Sequence, residues 1–324
     1  MSRPTSYQWL CADHTMHSRN LSSRLLMQYD VVIVGGSFAG LAAALYLGRA
    51  HRSVCVLDTS RPRNHFADAS HGLFAQDGSN PRALLATMRE QISAYPTVQF
   101  INEAAVGAVM EGGAGRVALS GGSTVEGERL LLAFGISDVL PSVPGLPERW
   151  GKSVLHCPYC HGYEVSGPRL GVMNVSSASL HQALLLSDWG PTTFLLNGAE
   201  LDGRSLDQLT HRNIEIEPDP VAGLLGERDG LSSVRFIDGR SRLLDALFVS
   251  PRYRLNSILA EQIGCDIQDG SLGQIVTAND MKMTTVDGVF AAGDITRSMH
   301  SITFACADGV MAAMAMHRSM VLGS

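Results

Sequence analysis

Tyr29-Asp30-Val31-Val32-Ile33-Val34-Gly35-Gly36-Ser37-Phe38-Ala39-Gly40-Leu41-Ala42-Ala43-Ala44 is the stretch whose reading decides the fold. A short apolar run that ends in glycines reads as a buried strand, and the small apolar residues after it read as a helix laid close against that strand. Strand, tight turn and helix together aim backbone N–H groups and the positive helix end at a pyrophosphate. Gly35 makes the bend and Gly40 permits close helix-to-strand packing. Ser37 stands where the GxGxxG pattern has its middle glycine, and serine is small enough to leave room for phosphate. The next strand, Ser53-Val54-Cys55-Val56-Leu57-Asp58, ends in an acid about twenty residues past the turn, where a ribose hydroxyl is expected.

A second decisive stretch is Cys157-Pro158-Tyr159-Cys160-His161-Gly162-Tyr163-Glu164. Two thiols three residues apart can open and close a small disulfide ring. At the first turn of a helix they share a face, and the helix dipole favours a thiolate. His161 titrates where thiols exchange. The competing readings are a zinc site and a pair of buried structural cysteines. Zinc normally needs two such pairs, or one pair with two well-spaced histidines. This chain has one CxxC, and His156 and His161 flank it too closely, so the spacing favours redox chemistry and no metal.

The 324 residues carry a net charge of −6, a length that suggests roughly two domains. Acids outnumber bases and no basic block occurs, which argues against nucleic acid. No apolar run approaches the roughly 20 residues of a membrane helix. Cysteines at positions 11, 55, 157, 160, 265 and 306 are too sparse for a secreted disulfide framework, so a cytoplasmic location is expected. Residues 1–27 read as a polar extension without the apolar core of a signal peptide.

Near the carboxyl end, Thr285-Val286-Asp287-Gly288-Val289-Phe290-Ala291-Ala292-Gly293-Asp294-Ile295 reads as a short buried strand closing on Gly-Asp, followed by a small-residue helix from Ser301 to His317. The dinucleotide turn, the central CPYCHG and the GVFAAGD, in that order, resemble the low-molecular-weight thioredoxin reductase class of FAD-dependent disulfide oxidoreductases. The resemblance covers residues from about 28 to 324.

The resemblance implies an α/β fold of two doubly wound, Rossmann-like domains, the second inserted into the first. Residues 28–145 and 253–324 would form the FAD domain, and 146–252 an NAD(P)H-like domain carrying the CxxC. It implies FAD contacts from Gly35, Gly36, Ser37, Ala39, Gly40 and Asp58, from Gln76, from Ala133 and Gly135, and from Gly293, Asp294, Ser301 and Ile302. Cys160 would lie beside the flavin and Cys157 would be the interchange thiol. His161 would be the acid/base where many members have an aspartate. A homodimer is implied as well.

The sequence departs from the family where NADPH should bind. The strand Arg169-Leu170-Gly171-Val172-Met173 leads into Asn174-Val175-Ser176-Ser177-Ala178-Ser179 instead of a glycine-rich turn. After Thr192-Thr193-Phe194-Leu195-Leu196, the arginines expected for a 2′-phosphate are replaced by Asn197-Gly198-Ala199-Glu200, with Arg204 the nearest cation. The expectation is therefore a degenerate NADPH site. Electrons would then pass between FAD, the disulfide and a thioredoxin-like protein or small-molecule dithiol. Ferredoxin, oxygen, or NADPH by altered contacts would be the other electron partner. A redox sensor without turnover is the reading from another class.

Cys55, Cys265 and Cys306 read as packing residues, and Cys11 has no evident role. The region 67–77, with His71 and Phe74, is expected to pass over the flavin.

Overall fold

The computed structural model describes residues 27–167 and 169–323; the amino-terminal extension, with Cys11 and Trp9, lies outside the described residues. The opening apolar run forms β1 (Met27–Val34), and the small-residue run forms α1 (Phe38–Arg49). Then come β2 (Val54–Leu57), α2 (Pro81–Ser93), β3 (Val98–Ile101), β4 (Ala105–Glu111), β5 (Ala114–Leu119) and β6 (Thr124–Leu132). After β7 (Ile136–Val139) the chain builds a second unit from β8 (Val154–Leu155), α3 (Pro158–His161), β9 (Leu170–Met173), α4 (Ser179–Leu186), β10 (Thr192–Leu195), α5 (Gly203–His211) and β11 (Glu215–Glu217). That unit is completed by β12 (Val221–Leu225), β13 (Ser233–Phe236), β14 (Ser241–Leu243) and β15 (Ala246–Val249). The return passes through β16 (Arg252–Leu255), α6 (Leu259–Ile263), β17 (Ile267–Asp269), β18 (Gln274–Val276), β19 (Val289–Ala291) and α7 (Ile302–Leu322).

The first sheet has the order β3-β2-β1-β6, with β19 pairing the end of β6 and the β4–β5 hairpin pairing its start. Strands β3, β2, β1, β6 and β19 are parallel. Alternation along them divides the core into two faces. Val31, Ile33, Val54, Val56, Leu131 and Phe290 pack under α1 and α7, while Val32, Val34, Cys55, Leu57, Leu130 and Leu132 pack on the opposite side. This is why the strands read as unbroken apolar runs.

The second sheet, β11-β10-β9-β15-β8, is parallel throughout and carries the β12–β13–β14 meander beside it. The fold is thus two doubly wound α/β units, the second inserted into the first. The two crossings pair as an antiparallel ribbon of β7 and β16, with Asp138 opposite Tyr253.

In both sheets the first turn sits where neighbouring strands lead away to opposite sides, the place at which open α/β sheets form their ligand crevice. At the first, Gly35 has φ +115°, and a Cβ there would lie 2.2 Å from the carbonyl oxygen of Ala133. Helix α1 is pinned at backbone distance on two sides: a Cβ on Gly40 would meet the Gly35 oxygen at 1.8 Å, and one on Gly309 of α7 would meet the Ala39 oxygen at 2.0 Å. Neither obstacle is a side chain that can swing away. We expect Gly309→Ala to destabilise the protein by roughly 1–3 kcal/mol, the usual cost of overpacking, with FAD retention impaired. An unchanged thermal midpoint would argue against this account of the α1–α7 contact.

Candidate functional site

A cavity of about 740 Å³ opens over the carboxyl ends of β1, β6 and β19 and reaches across to α3. That is within the roughly 300–1,000 Å³ of typical ligand and cofactor sites. Gly35, Gly36, Ser37, Ala39, Asp58, Ala133, Gly135, Gly293, Asp294, Ser301, Ile302, Cys160 and His161 line it. The structure therefore gathers nearly every residue expected at the cofactor and the redox centre. Gly40 sits behind the lining as a packing residue. Gln76 does not face the cavity either: its exposed side chain accepts a hydrogen bond from Ser79 Oγ at 3.1 Å within the loop that precedes α2.

The lining suits a dinucleotide. Ser37 is the N-cap of α1 yet its side chain caps no backbone amide, and Phe38 and Ala39 of the first turn line the cavity, so their uncapped N–H groups suit an anionic group. At one end Asp58 accepts from Ser60 N at 3.0 Å and pairs with Arg89, which lies over the Phe100 ring. At the Gly293–Asp294 turn, the buried carboxylate of Asp308 on α7 does the holding. It accepts from Gly293 N at 3.3 Å and Arg297 Nε at 2.9 Å and pairs with Lys282 at 2.8 Å.

Arg63 is the cation of this floor. Its guanidinium grips Asp138 through two nitrogens, at 3.0 and 2.6 Å, and reaches Asp294 at 3.2 Å. Burial works to raise the Asp138 carboxyl, but the Arg63 guanidinium more than offsets it and holds that group below its ordinary range, and the two carboxylates in turn raise Arg63. Two histidines border the group. Burial lowers His300, whose ring stands edge-on to Tyr253. Burial, and then the Arg63 cation, pushes His156 down to about 3. Arg63, Asp138, His300 and Asp308 escaped sequence reading, and His156 is weighed there only as a metal ligand, because isolated polar residues in loops and one helix carry no periodic or motif signal.

At the other end, Cys157 and Cys160 form a disulfide across α3, with Cα atoms 5.3 Å apart. Cys157 is the N-cap of α3 and its sulfur accepts from Cys160 N at 3.2 Å. Cys160 faces the cavity; Cys157 is not part of its lining. Trp189 braces this turn, its ring edge-on to Tyr159 at 5.6 Å and packed where Gly162 leaves no room for a side chain. Burial lowers His161, the nearby His71 lowers it further, and Glu164 partly opposes both. His161 is thus a neutral imidazole at physiological pH, able to accept a proton. The other described cysteines are held as thiols: burial pushes Cys55 up to about 12 and Cys306 up to about 11, and raises Cys265. Among the described residues no three His, Cys, Asp or Glu side chains converge as metal ligands would, and no helix is long and apolar enough to cross a membrane.

The turn after β9 is built differently. Asn174 does not enter the left-handed region, and the amides of Val175 and Ser176 donate to Ser179 Oγ at 3.1 and 3.2 Å. Asn197 Oδ1, past β10, accepts from Val221 N at 2.9 Å. Arg240 pairs with Glu217, Asp219 and Asp238, Arg242 with Glu215, and Arg212 with Asp188, whereas Arg204, the nearest cation in sequence, forms no ion pair among the described residues.

The profile of the pyridine nucleotide-disulphide oxidoreductase family matches residues 29–168 and 193–309. The chain is 32% identical over 279 residues to the thioredoxin reductase tcpT of Claviceps purpurea, covering 82% of this chain and 86% of that one. It is 29% identical to the thioredoxin reductase sirT of Leptosphaeria maculans, covering 88% and 92%. An oxidoreductase structure from Agrobacterium tumefaciens superimposes with a TM-score of 0.88 at 41% identity, over 92% of this chain and 100% of that one.

The depressed His156 has a consequence for stability. An unfolded imidazole titrates near 6.5, whereas folded His156 stays neutral until about pH 3. The unfolded chain takes up that proton first, so this contribution is intact above pH 6.5 and is lost progressively as pH falls toward 3. Between pH 7 and pH 5 the parent should lose roughly 2 kcal/mol more than His156→Gln, at about 1.4 kcal/mol per unit. Urea unfolding at the two pH values reads this difference; parallel losses in both proteins would contradict it.

Proposed function

We propose that this chain, which belongs to the pyridine nucleotide-disulphide oxidoreductase family and is thus an FAD-dependent disulfide oxidoreductase like thioredoxin reductase, exchanges electrons with an external dithiol or disulfide without using NADPH in the usual way. The observation that carries the second half is the contrast between its two turns. The amides that open α1 receive no side-chain cap, whereas two of those after β9 are satisfied by Ser179 Oγ. The external partner is a thioredoxin-like protein or a small-molecule dithiol. The FAD-binding unit is taken as 28–145 with 253–324, the cysteine-carrying unit as 146–252, and the active form as a cytoplasmic homodimer.

FAD, when bound, supplies a two-electron oxidant or reductant. Gly35, Gly36, Ser37 and Ala39 with the start of α1 would hold its pyrophosphate, Asp58 its ribose, and Asp294, Ser301 and Ile302 the remainder. Cys160 faces that cavity and Cys157 does not, which supports Cys157 as the sulfur met by outside thiols. In the oxidising direction a substrate thiol gives its proton to His161 and its sulfur attacks Cys157. The Cys157–Cys160 bond breaks with its electron pair on Cys160, whose thiolate is then protonated. The second substrate thiol displaces Cys157 and closes the substrate disulfide. Two electrons and two protons have then moved from substrate to the enzyme dithiol. The Cys160 amide that donates to Cys157 Sγ at 3.2 Å favours the thiolate form of that leaving sulfur.

The test is anaerobic mixing of the yellow holoenzyme with NADPH and, separately, with dithiothreitol, followed by visible absorbance. Bleaching by dithiothreitol alone is expected. Rapid bleaching by NADPH would refute the reading of the second turn. Return of colour in air at a catalytic rate identifies oxygen as acceptor, and slow return points to a reduced protein such as ferredoxin as the electron partner. Cys157→Ser and Cys160→Ser should each keep FAD while lowering dithiol exchange by roughly a hundredfold or more; full exchange in both variants would exclude the mechanism.

A further inference from the structure

We propose that His71 is a positioning residue for the thiol chemistry, held between Glu164 and Asp77 with its ring edge-on to His161, and that its charge sets the pH range over which His161 accepts a proton from a reacting thiol. The proposal rests on the reading of Cys157–Cys160 as the exchanging disulfide.

His71 comes from the loop between β2 and α2, in the first unit, and meets α3 of the inserted unit across the cavity. The loop is tied to itself and to its neighbour. Ser70 and Ser79 form a β-bridge, Asp77 Oδ1 accepts from Gly72 N at 2.8 Å, and Thr303 Oγ on α7 donates to Gly72 O at 3.3 Å. A loop braced at three points can hold one imidazole in register with a helix of another unit.

The imidazole itself is 17% exposed. Its Nδ1 lies 3.4 Å from Glu164 Oε1 and 3.7 Å from Asp77 Oδ1, is sealed from solvent, and makes no hydrogen bond of good geometry among the described residues. A buried ring nitrogen facing two carboxylates is costly to leave unpaired unless its charge or its proton is used. Its ring centroid is 6.2 Å from that of His161, in edge contact. The titratable groups facing it are Asp77 from its own loop and Glu164 and His161 from the α3 segment; α7 contributes only the Thr303 hydroxyl to this loop.

The exchange requires His161 to cycle between neutral and cationic forms. The His71 ring lies 3.4 Å from Glu164 and 3.7 Å from Asp77 and 6.2 Å from the His161 ring, so a charge on it opposes a cation on His161 and favours the proton-accepting form. The same contact lets the first unit act on the thiol chemistry of the second.

The experiment uses holoenzyme labelled at histidine, with the His161 imidazole followed by NMR from pH 5 to 9 and its signal assigned with His161→Gln. The rate at which dithiothreitol opens Cys157–Cys160 is followed in parallel by acid quench and thiol alkylation. His71→Asn removes the cation, so His161 should bind its proton more readily. Its midpoint and the acid limb of the exchange rate should both move up by roughly half to one pH unit, the scale of a partly screened charge at this range. His71→Lys keeps a cation and should restore the midpoint to the parent value or below. A midpoint unmoved in His71→Asn, or moved upward alike in both variants, would overturn the proposal. The asparagine variant decides alone if the lysine variant does not fold. If the parent disulfide resists dithiothreitol at every pH, it is the exchange reading that fails, while the NMR midpoint still reports separately on His71.

Discussion

The contact on which the rest of this structure depends is the backbone-to-backbone packing of α1 between β1 and α7. With the Gly35 oxygen over Gly40 on one side and the Ala39 oxygen against Gly309 on the other, α1 has one available position. That position aims its uncapped first turn into the cavity. It also places the start of α7 beside the same cavity, so that Asp308, one residue before the contact glycine, can hold the Gly293–Asp294 turn. A packing requirement and a binding requirement are met by the same few small residues, which is why they occur as a dense motif.

The two serines near the turns show how little residue type says about use. Ser37 and Ser179 each stand close to the start of a helix that follows a central parallel strand. Ser37 leaves the amides around it free of side-chain bonds, and Ser179 accepts from two of them. Backbone N–H groups that are already satisfied offer an anion little, since binding would only exchange one hydrogen bond for another. Asn174 in place of glycine and the internal acceptor at Ser179 thus act on the same turn.

Between the cavity and the outer surface, the disulfide is placed so that its two sulfurs have different neighbours. Cys160 shares the cavity with His156, His161 and His71, while Tyr159 and Tyr163 on either side are exposed, at 72% and 83%. The electrostatics are graded along the same path. Burial, and then the Arg63 cation against the opposing charge of Asp138, keeps His156 neutral at the floor, and near the opening the Glu164 carboxylate partly offsets the lowering of His161.

The order of motifs along the chain determined the fold class and the cofactor. Glycine turns, buried parallel strands and a CxxC are local patterns with steric or chemical reasons that hold wherever they occur. Gln76, at a loop position that carries no such reason, lies outside the cavity lining with its side chain turned to Ser79. What only the tertiary structure decided was the partnership of residues far apart in sequence: Arg63 with Asp138 and Asp294, Asp308 with Gly293, His71 with Glu164 and His161, Ser179 with the amides it occupies. None of these follows from periodicity or spacing, because each depends on which loop ends the packed helices and sheets bring within a few ångströms, and that is settled by the burial of the whole core.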